Sequence, residues 1–146
     1  MADRVPPTIR LLLLCLDARY DEETGETVLT NPIGVAGLPP GSAFPYTADH
    51  LSLYAQVSDG IGVIPLSVEL RQVYDGDEED RVVFQSDPYP LTCPLAPRLE
   101  IQDIFFPLGE VEFVAPGIYE FRLQSDVEGF ESPVAMLRVL DREAGL

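Results

Sequence analysis

The segment Val114-Ala115-Pro116-Gly117-Ile118-Tyr119-Glu120-Phe121-Arg122-Leu123 constrains the fold more than any other part of the chain. Pro116-Gly117 is a turn signal. The alternation after it puts Tyr119, Phe121 and Leu123 on one face and Ile118, Glu120 and Arg122 on the other. A glycine, a tyrosine two residues on and an apolar residue two further is the pattern of a tyrosine corner. In that motif the ring joins the core while the hydroxyl reaches back to the backbone a few residues upstream. The segment therefore predicts an all-β chain, an immunoglobulin-like Greek-key β-sandwich with its corner at Tyr119.

Fourteen prolines and eleven glycines spread along 146 residues suit many short strands and oppose long helices. One domain is expected over residues 1–146, with residues 1–7 as an extended arm and residues 141–146 as a tail. Nine arginines, no lysine and 25 acidic residues give a formal charge of -16. Such a surface repels phosphate backbones and anionic membranes, so the expectation is no nucleic acid and no membrane. Another protein is the expected partner, and mimicry of nucleic acid toward a basic protein is permitted by the charge without being singled out.

Cys15 and Cys93 are too few for a disulfide scaffold, and Phe121 occupies the position where an immunoglobulin pair has its second cysteine. They are read as free buried thiols. Arg10 followed by Leu11-Leu12-Leu13-Leu14-Cys15-Leu16 imitates a lipoprotein leader, but the six apolar residues fall short of an export signal. Leu14 is also not the small residue that cleavage before Cys15 requires. The run is read as a buried strand from Thr8 to Leu16, covered on both faces, in a cytoplasmic protein.

Further along, residues 17–27 read as a solvated connection and Val28 to Val35 as a strand with Asn31-Pro32 marking an edge or bulge. Gly37 to Pro45 reads as a stiff loop. Leu51 to Val57 and Ile64 to Leu70 alternate on either side of Ser58-Asp59-Gly60, which predicts a β-hairpin, with Glu69 and Arg71 facing away from the core. Four prolines between Ser86 and Pro97 oppose regular pairing there. Ile104 and Phe106 are out of phase with Leu99 and Ile101, which suggests a β-bulge at Gln102-Asp103. Val134 to Leu140 reads as the closing strand.

Chemistry-bearing residues are few. His50, the single histidine, stands beside Asp49 and is expected on the polar face of its strand; Ser42 lies in no nucleophile elbow. The acidic turn holding Asp75, Asp77, Glu79 and Asp80 offers the hard oxygen ligands that calcium takes. Its spacing is not that of an EF-hand, since Gly76 is second and the twelfth residue from Asp75 is Ser86; a solvated hairpin tip is the alternative. Phe44, Tyr46, Tyr54 and Tyr89 are candidate surface aromatics.

The opening Leu11 to Arg19, the acidic turn with Gly25, Val28-Leu29 through Ile33-Gly34-Val35, and the closing Pro116 to Phe121 resemble a family of small uncharacterised bacterial proteins, a domain of unknown function. The resemblance runs over most of residues 8–140. It implies a β-sandwich and transfers no active site. The proline-rich crossing and the tip at 75–80 depart from it. The expected function is a non-catalytic protein-binding or scaffold module without a cofactor, using a sheet edge or the loops Gly37–Pro45 and Ser86–Pro97. The alternatives are a calcium-stabilised extracytoplasmic adhesion or carbohydrate-binding module, and an enzyme with His50 as base.

Overall fold

The leucine run, uninterrupted by any turn residue, becomes the middle of the longest strand among the described residues, β1 (Thr8–Asp21). The computed structural model describes residues 4–39, 41–73, 80–93 and 101–143. After β1 come β2 (Glu26–Pro32), β3 (Val35–Leu38), β4 (Tyr46–Ala48), β5 (Ser52–Ser58) and β6 (Gly62–Val73). They are followed by β7 (Arg81–Gln85), β8 (Tyr89–Cys93), β9 (Gln102–Pro107), β10 (Val111–Phe113), β11 (Gly117–Gln124) and β12 (Val134–Glu143). No helix occurs among the described residues, and none is long and apolar enough to cross a membrane.

The strands form open sheets. One has the order β2-β1-β5-β9, the other β3-β12-β11-β6-β7, with β8 also paired to β6 and a separate β10-β4 pair. All pairings are antiparallel except β3 with β12. Alternation decides which side chains are buried. Leu12, Leu14, Leu53, Ala55, Val57, Ile104 and Phe106 from the first sheet share one hydrophobic core with Ile64, Leu66, Val68, Leu70, Phe121, Leu123 and Leu137 from the second.

Several expectations change. The predicted hairpin at Asp59-Gly60 is a crossing between sheets: β5 pairs β1 and β9, while β6 pairs β11, β7 and β8. The turn residues were rightly read, because Asp59 adopts φ 63, a left-handed conformation that a short polar side chain tolerates. A reversal signal, however, does not specify whether the flanking strands pair. Here Arg10 holds the turn to β1, its Nε donating to Ser58 Oγ at 2.5 Å and its Nη2 to Asp59 Oδ2 at 3.2 Å.

The region 17–27 is mostly strand, with only residues 22–25 turning; Asp21 Oδ1 accepts from the backbone N–H of Glu23 at 2.9 Å, a local turn that its charge density had disguised as a longer loop. Residues 4–7 are not a free arm, since Val5 and Ile61 exchange backbone hydrogen bonds of 3.0 and 3.1 Å and Pro7 is buried. β12 continues through Asp141 to Glu143, three residues into the expected tail, and residues 144–146 lie outside the described ones. Gly37 and Leu38 belong to β3, so the stiff loop begins at Pro39. The proline-rich segment pairs as far as it is described: β8 lies against residues 62–66 of β6, with Pro90 opposite Pro65, and residues 94–97 lie outside the described ones. No bulge interrupts β9, whose register with β5 is regular; Ile101 is out of phase because it precedes the strand and faces solvent. Leu11, at the surface of the first sheet, shows that the leucine strand is not covered on both faces throughout.

Gly60 is needed at the crossing for space. A Cβ there would lie 2.4 Å from Cys93 Sγ and 3.0 Å from Pro7 Cβ, inside contact distance of two buried groups. Gly60→Ala should therefore cost about 1–3 kcal/mol in denaturant unfolding, the usual range for forcing a methyl into a packed site. Adding Cys93→Ala should recover part of that cost, a non-additivity that a double-mutant cycle measures.

Candidate functional site

Asp75, Asp77 and Glu79 lie outside the described residues, in the segment that joins the antiparallel pair β6 and β7. Asp80 is described and exposed. Among the described residues no group of three His, Cys, Asp or Glu side chains is arranged to hold a metal ion. His50 precedes β5 and is not part of it. Its Nδ1 is 3.4 Å from Asp49 Oδ1, its side chain is 35% exposed, and its Nε2 is enclosed without a partner among the described residues.

Cys15 and Cys93 are both buried and neither is in a disulfide; the Cys15 thiol donates to the Ser52 carbonyl at 3.5 Å. Burial pushes the Cys93 thiol above its ordinary value, the direction that suppresses thiolate and nucleophilicity. The aromatics divide. Tyr54 is buried rather than a surface residue: it stacks on Phe105 at 5.5 Å and donates to Asp103 Oδ1 at 2.6 Å. Tyr89 remains 53% exposed while its ring meets Phe106 edge-on at 6.0 Å. That contact joins β8 to a core residue of the opposite sheet.

The feature that sequence reasoning missed lies on the outer face of β6 and β11. Glu69 and Arg71 do point away from the core, yet Glu69 is only 4% exposed. In register, Arg122 stands opposite Glu69 and Glu120 opposite Arg71. Arg71 Nε donates to Glu69 Oε1, Gln124 Nε2 donates to Glu69 Oε2, and Arg122 Nη2 donates to Glu120 Oε2 at 3.1 Å. Charges thus alternate both along and across the two strands. The hydrogen bond and charge of Glu69, with smaller contributions from Asp80 and Glu120, raise the Arg71 guanidinium further above its ordinary value. Both Glu69 oxygens are occupied, so the carboxylate is suited to holding structure and presenting charge rather than to accepting a substrate proton. The available signal was the repeated Glu-x-Arg of both strands, at 69–71 and 120–122, which a sequence shows but cannot pair.

A polar groove of about 650 Å³ runs beside this face, lined by Arg122, Gln124, Ser125, Phe130, Glu131 and Ser132. Ser132 Oγ accepts from the Leu123 N–H at 3.0 Å and so ties the groove wall to β11.

The thiols give a direct check on this description. At pH 8 both cysteines should label slowly in the folded protein and rapidly in denaturant. The raised Cys93 value also has a sign: the folded state holds that proton longer, so its contribution is intact below the ordinary thiol value and stability falls as pH rises through it. Cys93→Ala should flatten that fall in the denaturant midpoint. No protein-family model matches the chain, and no curated protein sequence matches it.

Proposed function

We propose that the chain is an immunoglobulin-like Greek-key sandwich that works as a non-catalytic protein-binding module, with the β7–β8 edge as its contact surface. Two observations support the fold reading. β5 lies between β1 and β9 in one sheet, while β6, β11 and β12 lie side by side in the other, as strands B, C, F and G do in such sandwiches. Tyr119 is fully buried and its hydroxyl donates to the Ala115 carbonyl at 2.5 Å, four residues upstream, the bond that a tyrosine corner makes. Two buried cysteines that are not joined in a disulfide fit a reducing compartment, so we place the module in the cytoplasm.

The observation that carries the binding reading is Tyr89. β7 and β8 follow one another along β6, Gln85 opposite Glu69 and Tyr89 opposite Leu66, with Ser86 bonded to Val68 between them. β7 ends its sheet, and β8 pairs with β6 alone among the named strands. An aromatic ring that is half exposed on such a strand, and braced from behind by Phe106, is a rigid anchor of the kind that dominates protein interfaces. Val63, on the strand paired with β8, adds exposed apolar surface. The strongly acidic remainder favours a protein partner over a phosphate backbone.

The test is affinity capture from lysate of the source organism with tagged wild-type protein and tagged Tyr89→Glu, partners being identified by mass spectrometry. A partner held by the wild type at moderate salt and lost by Tyr89→Glu is the expected result. The same proteins on both baits, or recovery only at low salt, would contradict a binding edge built on Tyr89.

A further inference from the structure

We infer that the outer face of the β12-β11-β6 layer is a self-association surface whose occupant is a second copy of this chain, packed face to face about a two-fold axis. This inference is independent of the Tyr89 edge. It begins with charge. The chain carries -16, so two copies repel wherever acidic surfaces meet. On this face Arg71, Arg122 and Arg138 are matched by Glu69, Glu120 and Asp80, which lies close enough to Arg71 to act on its charge, so the face is neutral (three positive, three negative) and the repulsion is locally removed.

The arrangement of those charges also matches itself. Glu120 and Arg71 form one cross-strand row, and Arg122 and Glu69 form the next. A face-to-face dimer has its two-fold axis in the plane of the interface. An axis parallel to the strands and between β11 and β6 brings Glu120 over the second copy's Arg71 and Arg122 over the second copy's Glu69. An axis perpendicular to the strands and between the rows brings Glu120 over Arg122 and Arg71 over Glu69. Either way unlike charges meet, so a checkerboard of two Glu and two Arg is complementary to its own copy.

Desolvation is least at Glu69, while Arg71, Arg122 and Glu120 give up the partial exposure they keep in a single copy. Glu69 is already excluded from solvent within a single copy, with both oxygens hydrogen-bonded, so covering it removes little further hydration. Around the charged centre the same face exposes Val35, Val134 and Met136 on one side and Val82 on the other. Val134 and Met136 are in register with Arg122 and Glu120, and Val82 with Arg71, so the apolar groups flank the charged rows. Burying them supplies the favourable area that the ion pairs do not.

The experiment is sedimentation velocity of the full chain from micromolar to millimolar concentration at physiological salt. Three variants accompany it: Met136→Glu (53% exposed) and Val35→Glu (60% exposed) on this face, and Leu11→Glu (36% exposed) on the other sheet. Each mutated side chain is at the surface, and circular dichroism of dilute samples checks the monomer fold. The expected result is a wild-type mass that rises toward twice 16.1 kDa, matched by Leu11→Glu, with both face variants folded and held at 16.1 kDa. A wild type that stays monomeric throughout overturns the inference. So does a dimer that survives both face variants, or one that Leu11→Glu also abolishes.

Discussion

The Tyr119 hydroxyl is a polar group in a fully buried residue, and its bond to the Ala115 carbonyl is what makes that position tolerable. Much of the architecture depends on it. The bond ties β11 to the turn that delivers it from β10, and Gly117, at φ 150, supplies the backbone conformation between them that other residues rarely adopt. The ring meets Phe113 edge-on at 4.9 Å, a contact worth about 0.5–1.5 kcal/mol beyond burial. β11 then runs between β6 and β12 and contributes Phe121 and Leu123 to the core shared by both sheets. Its opposite face is the one that carries Glu120 and Arg122.

Reading the sequence recovered elements whose information is local. The turn and alternation around Tyr119, the strand at Leu11–Leu16, the edge at Pro32 and the reversal at Asp59-Gly60 are all encoded by residues near one another. What could not be read was which strand lies beside which. Asp59 and Gly60 signal a reversal equally well for a hairpin and for a crossing between layers, and the choice is made by β1 and β9 occupying both sides of β5. Prolines misled for a related reason. Pro65 and Pro90 face each other in the β6–β8 pair, where the residues on either side of them continue the register. At the N-terminus, Arg4 and the Pro6-Pro7 pair suggested an extended arm, but Val5 finds a backbone partner in Ile61, a pairing that no local sequence signal marks.

The surface was the least legible part. Glu69 looked like an ordinary solvated strand residue, and only the approach of Gln124 and Arg71 encloses it. Tyr54 and Tyr89 are chemically alike and were grouped together, yet Phe105 and Asp103 bury the first while the second stands half exposed against Phe106. Acidic residues that repel partners over most of the surface thus coexist with one face where arginines balance them. This contrast underlies the self-association surface proposed for the protein, whereas the binding edge rests on the exposed Tyr89 ring.

The central claim is that the part-buried bond from the Tyr119 hydroxyl to the Ala115 carbonyl holds the β10–β11 crossing in place. Guanidinium unfolding of wild type and Tyr119→Phe tests it most directly, because the substitution removes one oxygen and leaves the ring packing against Phe113 intact. A loss of about 1–2 kcal/mol with an unchanged denaturant slope is predicted, since the Ala115 carbonyl loses a buried partner. Coincident unfolding curves for the two proteins would contradict the account.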